Sequence, residues 1–144
     1  MTEIDNDQSQ ATQVFRPCGR AFLVHYVAMA ICFLGPQINP AAGLPAWLGL
    51  VLGLILIAAV VYMRWGQEYQ ITPRGVSKVW SWTGRRQEIS WENLGEVLIR
   101  RGLTQTLIQV GNLLIQDKSG GPALFWFGLT DPKAVKALIE EKRR

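Results

Sequence analysis

The chain has 144 residues, of which 49% are hydrophobic and only 18% charged, and its formal net charge is +4. One histidine and two cysteines leave too little to assemble a His/Cys metal cluster or a disulfide framework. So modest a positive charge also argues against nucleic acid as the ligand.

Taken in order, residues 1–19 are expected to form a polar N-terminal tail. Met1–Gln13 is acidic (Glu3, Asp5, Asp7) and without periodicity, so it should be mobile unless a partner captures it. Val14–Arg20, with Pro17 and Gly19, leads into the next region.

From Ala21 to Met63 the chain contains no Asp, Glu, Lys or Arg. The solvated surface of a soluble domain would not sustain such a run. A Pro-, Gly- and Asn-containing interruption, Gly35–Gly43, divides it. The predicted unit is a transmembrane helical hairpin over residues 20–65, with spans at 21–38 and 44–63. The second span has about 20 uncharged residues, and at about 1.5 Å each it covers the roughly 30 Å hydrocarbon core of a bilayer. The first carries His25, Tyr26 and Gln37 and is read as the other arm because a strong span follows it so closely. A signal peptide would need a short basic leader, which this acidic one is not.

Arg16 and Arg20 precede the first span, Arg64 closes the second, and the loop between the spans has no charge. Basic residues near span ends stay on the cytoplasmic side. The expectation is a multi-pass protein of a bacterial inner membrane with both termini cytoplasmic. Trp47 is then near the outer headgroups, and Tyr62 and Trp65 near the inner ones. Cys18 and Cys32 are predicted to be free thiols.

Gly49 and Gly53 form a G-x-x-x-G pair on one helical face, where small residues permit close helix packing. The partner is either the first span, through its small stripe at Ala28 and Cys32, or the helix of another subunit.

After Glu68 the pattern changes to short strands. Tyr69 and Ile71 alternate, Thr72–Gly75 makes a turn, and Val76–Trp82 is rich in β-branched and aromatic residues. Thr83-Gly84 makes a second turn. Arg85–Trp91, Leu94–Arg101, Thr104–Val110, Asn112–Gln116 and Ala123–Phe127 follow as further predicted strands. Thr130-Asp131-Pro132 has the composition of a helix start, and Ala134, Val135, Leu138 and Ile139 recur at helical spacing. A single amphipathic helix after seven strands is best used to plug the open end of a bent sheet. The fold class is therefore a membrane α-hairpin plus an α+β domain at 66–144: a seven-stranded antiparallel bent sheet or barrel capped by one C-terminal helix.

Residues 68–144 resemble the bacterial pleckstrin-homology-like (PH-like) domain family, whose membrane-anchored members carry a transmembrane hairpin before the domain. The resemblance rests on Tyr69–Thr72 leading to Arg74–Val76, and on Gly84-Arg85-Arg86 before Ile89–Trp91. Leu94, Val97, Gly111–Ile115 and Thr130–Pro132 complete it. It implies a non-catalytic binding or scaffold module, here an accessory or assembly subunit of a larger membrane complex or of a homo-oligomer.

The residues suggest no chemistry of their own. The sequence has no phosphate-cradling glycine motif and no base beside a nucleophile, so no enzymatic activity and no cofactor are expected. His25 is a possible intramembrane polar site, either as a hydrogen-bonded interfacial side chain or as a ligand to a redox group. Arg74, Lys78, Arg85 and Arg86 are candidates for a lipid headgroup site, since juxtamembrane basic groups are attracted to anionic lipids. Trp80, Trp82, Phe125 and Phe127 make an apolar surface larger than a free-standing sheet would favour, and they are candidates for a partner surface.

Overall fold

The computed structural model describes residues 12–144; the acidic leader ahead of them lies outside the described residues. Two helices, α1 (Leu23–Ile38) and α2 (Ala46–Trp65), form an antiparallel hairpin. With the 3₁₀ turn Gly19–Phe22 that precedes α1, both arms are long and apolar enough to cross a membrane. The glycine pair explains why they meet. A Cβ on Gly49 would overlap the Cys32 carbonyl and lie 3.0 Å from Pro36 Cγ, and one on Gly53 would overlap the Phe33 ring. Removing those side chains brings the backbones into contact. Leu23, Val24, Ile31, Leu34, Leu50, Leu54 and Ile55 instead point outward and are exposed.

The rest of the chain folds into two antiparallel sheets and a helix. Strands β1 (Gln13–Phe15), β2 (Gln67–Thr72), β3 (Gly75–Trp80) and β4 (Arg85–Ser90) pair in that order. Strands β5 (Leu94–Arg100), β6 (Gly111–Asp117) and β7 (Pro122–Leu129) make the second sheet. Among the described residues β4 and β5 share no ladder, so the two sheets do not close into a barrel.

The inner faces meet in one core. Tyr69, Ile71, Val76 and Ile89 of the first sheet face Leu94, Val97, Leu113, Ile115, Leu124 and Trp126 of the second. Helix α4 (Pro132–Arg143) closes one end with Val135 and Ile139. It starts as its sequence predicts, because the Asp131 carboxylate accepts the Ala134 N–H at 3.1 Å. The turn between β2 and β3 also forms as expected. There Thr72 Oγ1 accepts the Gly75 N–H at 3.2 Å and donates to the Gly75 carbonyl at 3.0 Å.

Two elements differ from the sequence expectation. Thr104–Val110 is not a strand: Leu103–Leu107 is a short helix, α3, followed by a turn. The seventh strand is instead β1, recruited from the stretch read as tail. Val14 pairs with Gln70 and Phe15 with Tyr69 across the hairpin inserted between them. Trp82 likewise leaves its expected strand and sits in the β3–β4 turn.

Candidate membrane and partner surfaces

The end of the domain next to the hairpin is fixed to it at several points. Cys18 N–H donates to the Gly128 carbonyl at 2.8 Å. Phe22, fully buried, packs its ring 5.6 Å from that of Phe127. Gly128 has φ +70, and a Cβ there would stand 2.6 Å from Ala21 Cβ. On the other arm Tyr62 meets Trp82 edge-on at 6.1 Å. The Ser81 N–H donates to the Gly66 carbonyl at 2.9 Å. Arg16 and Glu68 form an ion pair.

The outer edge of β7 is covered by side chains of the first sheet. The Tyr69 hydroxyl accepts the Phe127 N–H at 2.8 Å, and Lys78 Nζ donates to the Phe125 carbonyl at 3.1 Å. Such capping prevents a strand edge from templating further pairing. Burial pushes the Tyr69 phenol above its ordinary range and the Lys78 ammonium below its own.

The four basic candidates do not converge. Register places Arg85 opposite Trp80, which is opposite Gln67, at the hairpin end of the sheet. Arg74, in the turn after Thr72, lies about five strand residues away, roughly 17 Å. Lys78 is half-buried, committed to the Phe125 carbonyl, with Nζ 4.9 Å from the Trp80 ring centre. Arg86 pairs with Glu88 at 3.0 Å. Arg74 and Arg86 border a shallow depression together with that same Glu88. A carboxylate in the lining opposes phosphate binding. Arg85 stacks over Trp80 at 5.6 Å and has no carboxylate partner among the described residues.

The four aromatic candidates also divide. Trp80 is half-buried beneath Lys78 and Arg85, and Phe127 is half-buried against Phe22. Only Trp82 and Phe125 are exposed. Trp82 belongs to the hairpin end, through Tyr62, whereas Phe125 lies on the outer face of β7.

His25 is in the first turn of α1, its ring edge-on to Phe22 at 5.7 Å. With Ala21, Leu23 and Val24 it forms one wall of a depression of about 340 Å³. Gly102, Thr104, Gln105, Ile108 and Phe127 complete its lining. Among the described residues no group of His, Cys, Asp and Glu is arranged to hold a metal ion. Both cysteines are free.

Sequence reasoning missed Leu103 and Leu107, the two most exposed large hydrophobic side chains among the described residues, at 90% and 84%. The signal was present. Gly102 and Gln105 have the spacing of an N-terminal cap, and the Gln105 side chain accepts the Gly102 N–H at 3.0 Å. The two leucines are four residues apart, on one helical face.

A family model described as Bacterial PH domain matches residues 21–143. No curated protein and no solved structure matches the chain.

Proposed function

Because the chain belongs to the bacterial PH domain family, we propose that it is a non-catalytic, membrane-spanning scaffold or accessory subunit. Both arms of the hairpin cross the bilayer of the inner membrane, the sheets lie on its cytoplasmic side, and the protein binds a larger membrane complex or copies of itself. The family is generally non-catalytic, consistent with a framework role.

The observation that carries the reading is the bracing between hairpin and domain. Cys18–Gly128, Phe22–Phe127 and Tyr62–Trp82 hold the sheets in one orientation relative to the helices. A scaffold needs a defined orientation, whereas a tethered module that searches for ligand is served better by a loose linker. The glycine seam is already occupied within the hairpin. The surfaces left for a partner therefore include the outward helix faces, Trp82 and Phe125.

The test is gentle solubilisation of native membranes, affinity capture of the full chain, and measurement of the mass of what elutes. The reading predicts a complex heavier than one chain in its detergent belt, reduced by Phe125→Asp. A monodisperse monomer with nothing bound would overturn it.

A second reading, an anchored anionic-lipid module, is favoured by one observation: Arg85 lies at the hairpin end with no acidic partner among the described residues. It predicts salt-sensitive seating of the domain on vesicles containing phosphatidylglycerol, weakened by Arg85→Glu and indifferent to Arg74→Glu.

A further inference from the structure

We propose that α3 is an interfacial membrane element, which sinks Leu103 and Leu107 into the leaflet beside the start of α1. The proposal rests on the membrane reading of the hairpin and adds a third point of insertion to it.

The outward set of the two leucines is built in. The opposite face of α3 is tied down, since Gln105 and Asn112 exchange side-chain amide contacts at 3.3 Å. Asn112 Oδ1 in turn accepts the Gly128 N–H at 2.9 Å. Ile108 is half-buried. With that face held on β6 and β7, Leu103 and Leu107 are left outside by the geometry of the helix and not by fraying.

Depth follows from the neighbours of α3. The Arg64 guanidinium lies 3.2 Å from where a Gly19 Cβ would be, so Gly19 and Arg64 mark the level at which both arms leave the apolar region. The α1-side residues of the depression, Ala21 and Leu23–His25, lie two to six residues further on, about 3–9 Å deeper along the helix. Those residues line one depression together with Gly102, Thr104, Gln105 and Ile108. Helix α3 therefore lies level with the apolar side of that boundary, where Leu103 and Leu107 are exposed as Leu23 and Val24 are on α1.

Charge agrees with this placement. Arg100 and Arg101, both exposed, immediately precede α3, and no acidic residue occurs from Gly102 to Gln116. Basic residues beside an apolar helical face suit the boundary between headgroups and acyl chains. A soluble partner protein would gain nothing from this depth, and the bilayer is the occupant the geometry favours.

The test uses the full chain, Cys18→Ser and Cys32→Ser, reconstituted into phosphatidylcholine–phosphatidylglycerol vesicles. Single nitroxide labels are placed at Leu103→Cys, Leu107→Cys, Ile55→Cys and Lys118→Cys. Collision with oxygen, which prefers lipid, is compared with collision with a water-soluble nickel chelate. The expected result is oxygen preference at Ile55, a weaker oxygen preference at Leu103 and Leu107, and nickel preference at Lys118. Nickel preference at Leu103 and Leu107 with oxygen preference at Ile55 would overturn the inference and leave the hairpin reading standing. Protection of both leucine sites from both reagents would mean that protein covers them, and would also overturn it. Nickel preference at Ile55 would remove the hairpin reading and this inference with it.

Discussion

The hairpin and the sheet domain treat apolar side chains in opposite ways. In α2 the buried positions are Gly49, Gly53 and Val60, and the large side chains Leu50, Leu54 and Ile55 lie outside. In the sheets the large side chains Trp126, Tyr69, Leu113 and Ile115 are inside. On the membrane reading proposed above, the difference follows from the solvent each region faces. Between helices in lipid there is no hydrophobic gain from association, so contact depends on close backbone approach. In water the gain scales with apolar area removed, so the large side chains go to the core.

Substitutions of the same chemistry should therefore have unlike effects in the two regions. The largest is expected at Trp126, fully buried and stacked 5.2 Å from Tyr69. Trp126→Ala should destabilise the domain by about 3–5 kcal/mol, measured by chemical denaturation in detergent. Ile55→Ala on the outward face of α2 should change the same measurement by only about 0.5 kcal/mol.

Next come the glycines. Gly53→Leu must displace the Phe33 ring and should weaken the hairpin by about 1–3 kcal/mol, seen as loss of an engineered cross-link between the arms. At the junction of the two regions, Gly128→Val places a branched side chain at φ +70, against Ala21. A cost of about 1–3 kcal/mol is expected, with faster amide exchange at Cys18. A similar loss of coupling should follow from removing residues 1–19, because β1 goes with them.

Smaller effects concern the surface. Arg16→Ala breaks the ion pair with Glu68, in which Arg16 is 57% exposed, and should cost about 0.2–1 kcal/mol. The smallest effect is local, at the β6–β7 loop. The Ser119 hydroxyl and the Gly121 N–H hold the Asp117 carboxyl below its ordinary range. A lowered pKa favours the native loop at neutral pH, and that contribution fades as pH falls through the lowered value. Amide exchange at Ser119 and Gly121, corrected for intrinsic rates, should speed up below about pH 4 and be insensitive to pH in Asp117→Asn.

Legibility also divides between the two regions. The hairpin is readable because a chargeless run has few other uses, and its glycine spacing is visible in a single segment. In the sheets the turns at Thr72–Gly75 and Thr130–Pro132 are readable because their caps are local. Strand β1 is not: three residues carry no usable period, and the pairing of Phe15 with Tyr69 is decided across the whole hairpin. Helix α3 was masked by the composition of the stretch it opens, since Thr, Ile and Val favour strands. Contacts with Asn112 and the cap at Gly102 override that preference. The basic quartet separated for a similar reason. Sequence places Arg74 and Arg85 in successive turns, and only the register shows that those turns lie at opposite ends of the sheet.

The most direct test of the central claim is sidedness. With Cys18→Ser and Cys32→Ser as background, single cysteines at Asn39, in the loop between the arms, and at Lys118, in the β6–β7 loop, are exposed to a membrane-impermeant maleimide in intact cells. The account predicts labelling of Asn39→Cys from outside, and of Lys118→Cys only once the membrane is opened. Labelling of both from the same side would contradict it.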